Sequence, residues 1–341
     1  MRKIAIKKYV FAGIAVAVAA CAVWAASIYG KAMRIYEYEE VRLYVDGANG
    51  PSALRDSLVG ALGNEYGSAV YYIWNKAPGD KKLRTGSFVV KPGEKAYALA
   101  RRIRNGQQDP VRITLNNVRF YDDLANRIAS QLHITPDQFK AAADSVLSAR
   151  GVAKPYYEGY FFPDTYEFYW NASPTIVVDK ILANRDAFWS DERLQKASKL
   201  GLSPDEVTVV ASIVEEETNK SDERPKVARL YLNRLAKGMK LQADPTVKYA
   251  VGDFSLRRIL NKHLSTPSPY NTYINAGLPP GPIRVAAAAT IDAVLNAPAH
   301  NYLYMCAKED FSGYHNFAVD FASHNANARR YQQALNKQGI K

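Results

Sequence analysis

Residues 201–218 read "GLSPDEVTVVASIVEEET": a helix start, an apolar run and three consecutive glutamates. Ser203 suits the N-cap, Pro204 the first helical position, and Glu206 completes a capping box three residues on. This predicts a helix that runs to about Thr218 and stops at Asn219. The cap sets the register, so the run can be projected around the axis. At about 100° per residue, Val210, Ile213 and Val214 fall within roughly 60° of Glu217, whereas Glu215 is about 160° away and Glu216 about 100°. Glu217 thus sits in the apolar stripe, Glu215 on the polar side with Thr208 and Ser212, and Glu216 at the margin. A carboxyl among apolar side chains holds its proton to higher pH, because its charged form loses hydration. Glycosidic cleavage needs such an acid. The alternative is a frayed last turn with Glu217 reaching water.

Working outward, a second helix is expected over 224–236, ending at Gly238. "LQADPT" then offers Gln242, Asp244 and Thr246. Tyr270, Asn271, Thr272 and Tyr273 lie on a loop bounded by prolines and "GLPPGP", where ring faces, hydroxyls and an amide suit a sugar. Taken singly, such residues also pack cores and cap turns. The stretch from "LQADPTVKYA" through "TPSPYNTYINAGLPPGPI" reads as mostly irregular, followed by a strand over 302–307 and a helix over 325–336. Upstream, helices are expected over 137–149 and 176–198, flanking the aromatic loop "YYEGYFFPDTYEFYW" at 156–170. Earlier still, a strand–turn–helix pattern recurs. The first pass has a strand over 41–45, then a helix capped by Ser52 and running to Leu62. The second has a strand over 87–90, then a helix with Ala96, Leu99, Ala100 and Ile103 on one face, and a third begins at Val111. These passes are read as small αβ units of one membrane-proximal module.

At the N-terminus, Arg2, Lys3, Lys7 and Lys8 precede an apolar stretch from Tyr9 to Tyr29, long enough to span a hydrocarbon core. The flanking charge places residues 1–8 in the cytoplasm and the rest outside, and the length of the run favours an uncleaved single-pass anchor in the cytoplasmic membrane over a cleaved signal peptide, whose apolar region is shorter. Val18-Ala19-Ala20-Cys21 resembles a lipobox, but the apolar run continues past Cys21, which argues against lipidation there. The net charge is +12, and four of those cations precede the anchor. A basic exported surface suits an anionic polymer or membrane face, and no nucleic-acid motif is present. Two cysteines, Cys21 and Cys306, and five scattered histidines give no zinc spacing and no disulfide framework, so neither metal nor cofactor is expected.

"ASIVEEET", "RLYLNRLAKGMKLQADPTVKY", "PYNTYINAGLPPGPI", "HNFAVDFASHN" and the "YFFPDTYEF" loop together resemble the endolytic murein transglycosylases of the MltG (YceG-like) family. The likeness runs in consistent order from about Val111 to the C-terminus. It implies an α+β protein with four parts: a cytoplasmic tail (1–8), a transmembrane helix (9–29), a LysM-like αβ module (30–110) and a YceG-like catalytic domain (111–341). The implied activity is non-hydrolytic cleavage of the β-1,4 bond between N-acetylmuramic acid and N-acetylglucosamine in peptidoglycan strands, leaving a 1,6-anhydro end. The implied partners are those strands, the membrane and cell-wall synthesis enzymes. The family's essential acid, the second glutamate of a Glu-Lys-Glu-Thr run, maps onto Glu217. Glu216 stands where the family has lysine, and its charge is expected to raise the Glu217 pKa further. Tyr270, Asn271, Thr272 and Gln242 are the candidates for holding substrate, with Asp244 and Thr246 beside them. Two other readings stay open: lysozyme-like hydrolysis with Asp244 or Asp164 as second carboxylate, and a glycan-binding scaffold without catalysis.

Overall fold

The computed structural model describes residues 2–79, 82–116, 118–256 and 259–339. It is a mixed α+β fold, rich in helix. A single helix, Arg2–Met33, opens the chain, and its portion Phe11–Met33 is long and apolar enough to cross a membrane. The expected apolar span lies inside this helix.

The chain divides into two compact units, Met1–Arg112 with Glu167–Ala172, and Ile113–Tyr166 with Ser173–Lys341. In the first, strand Val41–Val45 pairs antiparallel with Gly86–Val90, from Val41 opposite Val90 to Val45 opposite Gly86. Helices Gly50–Leu62 and Asn64–Lys76 connect the strands, and Ala96–Asn105 follows the second. Leu43, Leu58, Val70, Trp74, Phe88 and Ile103 fill the core between them. Gly67 lets the two connecting helices touch, since a Cβ there would run into the Leu58 carbonyl. Ser52 is not the cap: Asp46 caps a preceding 3-10 turn, Gly47–Asn49, and the helix begins at Gly50. Asn64–Lys76 carries no side-chain cap and was not anticipated.

The second unit is built around helix Pro204–Glu217. Both halves of the Ser203/Glu206 capping box form, and the helix stops where Thr218 turns extended. The expected polar side of this helix does not exist. Every residue from Val207 to Val214 is buried, Thr208 and Ser212 included. Thr208 Oγ1 donates to the Pro204 carbonyl and Ser212 Oγ to that of Val209, so these hydroxyls satisfy themselves inside the core. Helices Arg224–Ala236, Asp244–Val251 and Ala288–Leu295 pack around it.

The stretch 241–283 is mostly irregular, as expected, but holds two short helices, Asp244–Val251 and Asn261–Leu264, and is followed by Ala288–Leu295. One further reading changes. The helical region 176–198 is two helices, Pro174–Phe188 and Asp191–Lys199, broken at Trp189–Ser190. Near the C-terminus, strand Tyr304–Ala307 pairs antiparallel with His315–Ala318, and helix Phe321–Lys337 packs on both.

Candidate active site

The three glutamates at the end of the central helix take three different environments. The Glu215 carboxylate accepts from the Ala287 amide at 2.8 Å and the Thr290 hydroxyl at 2.7 Å, so it caps helix Ala288–Leu295 from outside. Glu216 is held by two arginines, Arg119 Nη2 at 2.9 Å and Arg284 Nη1 at 2.7 Å. The Glu216 and Arg284 side chains are at most one-seventh exposed, and Arg119 is one-third exposed. Glu217 has no arginine partner among the described residues; its Oε2 accepts only the Tyr231 hydroxyl, at 3.0 Å.

Glu217 instead faces a cavity of about 290 Å³. Five segments supply the walls. Helix Arg224–Ala236 brings Tyr231 and Arg234; the turn that follows brings Gln242, and the start of helix Asp244–Val251 brings Asp244. The 270–273 loop contributes Tyr273, and the C-terminal hairpin adds Cys306 and His315. Burial pushes the Glu217 carboxyl up and the negative Asp244 adds to this, while the hydrogen bond from the Tyr231 hydroxyl, the Lys248 ammonium and, whenever it carries a proton, the His315 imidazole oppose it. Glu216 is not among these influences, because Arg119 and Arg284 neutralise it. The expectation that its charge raises Glu217 is therefore corrected.

The cavity floor is tied together by buried polar bonds. Arg234, itself buried, donates to the Leu241 carbonyl at 2.8 Å, to that of Leu303 at 2.6 Å, and to Gln242 Oε1 at 3.2 Å. Gln242 adopts φ 51°, a left-handed conformation a non-glycine residue rarely takes. Its amide donates to the Thr272 carbonyl, and the Ala243 amide to Thr272 Oγ1. Tyr273 OH donates to Asp244 at 2.6 Å.

Of the residues singled out in the sequence, the structure brings Glu217, Gln242 and Asp244 together at the cavity. The other four are placed elsewhere. Thr246 and Thr272 are fully buried, hydroxyl to hydroxyl at 2.8 Å. Asn271 is buried too, its amide donating to the Leu264 and Thr266 carbonyls and its Oδ1 accepting from the Tyr273 amide. Tyr270 packs against Tyr249, with ring centroids 4.7 Å apart. Thr246, Asn271 and Thr272 thus bond the protein itself, and Tyr270 stays partly buried beside them. Asp164 accepts from the Thr165 amide and from Asn184, and does not line the cavity. Tyr273, named with its loop but not among the residues expected to hold substrate, lines the cavity, as do Tyr231, Arg234 and His315, which no sequence pattern picks out. Tyr231 and Arg234 lie three apart on one helix face, the only local signal they share.

A model of the YceG-like family matches residues 50–330. An endolytic murein transglycosylase of Bacillus subtilis (strain 168) is 37% identical over 182 residues, 53% of this chain and 49% of that protein. One of Streptococcus pneumoniae serotype 2 is 33% identical over 154 residues, 44% of this chain and 28% of that protein. The chain thus spans about half or less of the length of the curated relatives it matches. A solved YceG-like protein of Listeria monocytogenes superposes with a TM-score of 0.57 at 26% identity, covering 84% of this chain and 98% of the other.

Proposed function

The chain belongs to the YceG-like family, and from that premise we propose that it is a membrane-anchored endolytic lytic transglycosylase of peptidoglycan. The observation that carries this reading is Glu217, a carboxyl pushed toward its protonated form at the wall of a cavity lined with polar groups. Protonated Glu217 donates to the glycosidic oxygen between N-acetylmuramic acid and N-acetylglucosamine as the C1–O bond breaks. The muramic C6 hydroxyl attacks C1 within the same sugar, so no positioned water is needed. In the one-carboxyl form of the scheme, ionised Glu217 then takes the C6 proton. Gln242 and Asp244 hold the sugar beside the acid. Helix Phe11–Met33 anchors the chain in the cytoplasmic membrane with the catalytic domain outside, which would place it near nascent strands and the enzymes that make them. Residues 30–110, which include a strand–helix–helix–strand unit, serve as a LysM-like module, and 111–341 as the catalytic domain.

The test is mass analysis of the ends produced when the full chain, in detergent, is incubated with purified glycan strands. We expect 1,6-anhydro-muramic ends from the wild type and intact strands from Glu217→Gln. Asp244 in the same cavity supports a second reading, muramidase hydrolysis with that carboxylate as partner. Reducing muramic ends would establish it, and strands left intact by both proteins would favour a glycan-binding scaffold.

A further inference from the structure

Glu217 is not the only group in the cavity equipped to handle a proton. His315 opens the strand His315–Ala318 and lines the same cavity, partly exposed to it. Its backbone amide donates to Glu223 Oε1 at 2.8 Å, and its Nδ1 lies 2.8 Å from Glu223 Oε2. Glu223 is 6% exposed and also accepts the Thr218 hydroxyl, at 3.2 Å. With three donors converging on it, this carboxyl acts as an acceptor, so the ring hydrogen sits on Nδ1. That leaves Nε2 of the neutral ring as a lone-pair acceptor. Among the described residues no protein group hydrogen-bonds it. A buried carboxylate that fixes the tautomer of an imidazole whose other nitrogen is unpaired is the arrangement of a general base.

The other cavity groups are poorly suited to that role. Folding pushes the Tyr231 and Tyr273 phenols up, so both keep their protons, and burial does the same to the Cys306 thiol. Arg234 is spent on backbone carbonyls. Asp244 already accepts the Tyr273 hydroxyl. Thr218 directly follows Glu217, so the short segment 217–223 carries both the acid and the support of the imidazole.

We propose that His315 Nε2 is the base that removes the muramic C6 proton, with Glu223 as its positioning residue, dividing between two groups the roles otherwise given to Glu217 alone. This deepens the transglycosylase reading and rests on it. The C1–O4 bond breaks with its electron pair on oxygen, which takes the Glu217 proton and leaves as an alcohol. The C6 oxygen forms the new bond to C1 and gives its proton to Nε2. The imidazolium then returns a proton through solvent to Glu217, so one turnover restores both groups with no net gain or loss.

The test measures kcat, KM, melting temperature and product ends for the full chain in detergent carrying His315→Gln, His315→Asn, Glu223→Gln or the His315→Gln/Glu223→Gln pair. The asparagine amide keeps a donor near the position of Nδ1 and so preserves the tie to Glu223 while deleting Nε2. Expected is a fall in kcat on the order of 10²–10⁴-fold in both His315 variants, with KM close to wild type. Glu223→Gln should fall between, and the double variant should be no slower than His315→Gln, as for residues acting as one unit. Near-normal kcat in His315→Asn, or multiplying effects in the double variant, overturns the proposal. If His315→Gln does not fold, His315→Asn decides. Glu217→Gln run in parallel separates the two ideas. An inert Glu217→Gln beside an active His315→Asn retains the transglycosylase and removes the base, whereas a wild type that yields no anhydro ends removes the reading beneath both.

Discussion

Glu217 differs from its two neighbours in what answers its charge. Glu215 and Glu216 meet arginine or a helix N-terminus, whereas Glu217 meets a hydroxyl and a cavity. Its pKa is raised chiefly by burial, so the native state binds that proton more tightly than the unfolded chain does. The resulting stabilisation is complete below the unfolded value, about 4.3, and is lost as pH rises through the native one. Glu217→Gln keeps a neutral side chain at every pH. Its melting temperature is therefore expected to match the wild type near about pH 4 and to exceed it increasingly toward about pH 8 in calorimetry. A gap that does not vary with pH would show that the native carboxyl titrates normally. Wild-type activity should fall on the alkaline side with a midpoint above the ordinary glutamate range, since the acid must carry its proton. Asn271 belongs at this scale as well. Asn271→Ala would leave the Leu264 and Thr266 carbonyls and the Tyr273 amide without their partner, and should cost about 2–4 kcal/mol in urea denaturation. Little change would mean that water replaces the amide.

Among the elements, the central helix shows what holds Glu216 in place. Arg119 and Arg284 come from different parts of the second unit and converge on one carboxylate. Glu216→Lys would place three cations together with little solvent, and should destabilise by about 3–5 kcal/mol. Adding Arg119→Glu to that variant should recover part of the loss, and a double-mutant cycle in urea reads the coupling; strict additivity would refute the pairing. The same helix marks what local sequence can and cannot report. Its start was legible because the Ser203/Glu206 box is a bond between residues three apart. Its surroundings were not. An amphipathic projection assumes water on one side, yet this helix is enclosed, and among the described residues Glu217 stands out from its neighbours by having a hydroxyl and no arginine beside it, not by the stripe it occupies. Helix Asp244–Val251 escaped notice because it has eight residues and no side-chain cap. Polarity is all that local sequence offers for the groove residues. Polar residues on a proline-bounded loop serve sugars and loop bracing equally well, and Thr246, Asn271 and Thr272 turned out to bond the protein itself. Tyr231 and His315 reach the cavity from elements far apart in sequence, a pairing no local pattern encodes.

At the scale of the whole molecule, the first unit is completed by a segment from far along the chain, Glu167–Ala172. Trp170 packs on Tyr44 with ring centroids 5.1 Å apart. Asn171 donates to the Thr85 carbonyl at 3.0 Å and accepts from Gln108 at 2.7 Å. A cut at the 112/113 boundary therefore does not separate two self-sufficient pieces. Fragment 113–341 would keep the cavity residues but expose Trp170 and leave the polar groups of Asn171 without protein partners. Removing residues 1–33 is different. The Arg34 carbonyl, which accepts the Ala96 amide at 2.8 Å, remains, and so does the core of the first unit. Fragment 34–341 is expected to stay monomeric in size-exclusion chromatography without detergent, and to cut purified strands at close to the full-length rate. Fragment 113–341 should melt several degrees lower, because about 1 kcal/mol shifts the midpoint of a domain this large by roughly 2–4 °C, and it should self-associate through the bared tryptophan. Trp170→Ser in fragment 113–341 should reduce that association without restoring the lost stability. Equal melting temperatures for the two fragments would mean that the 167–172 segment contributes nothing to the fold beyond connecting its neighbours.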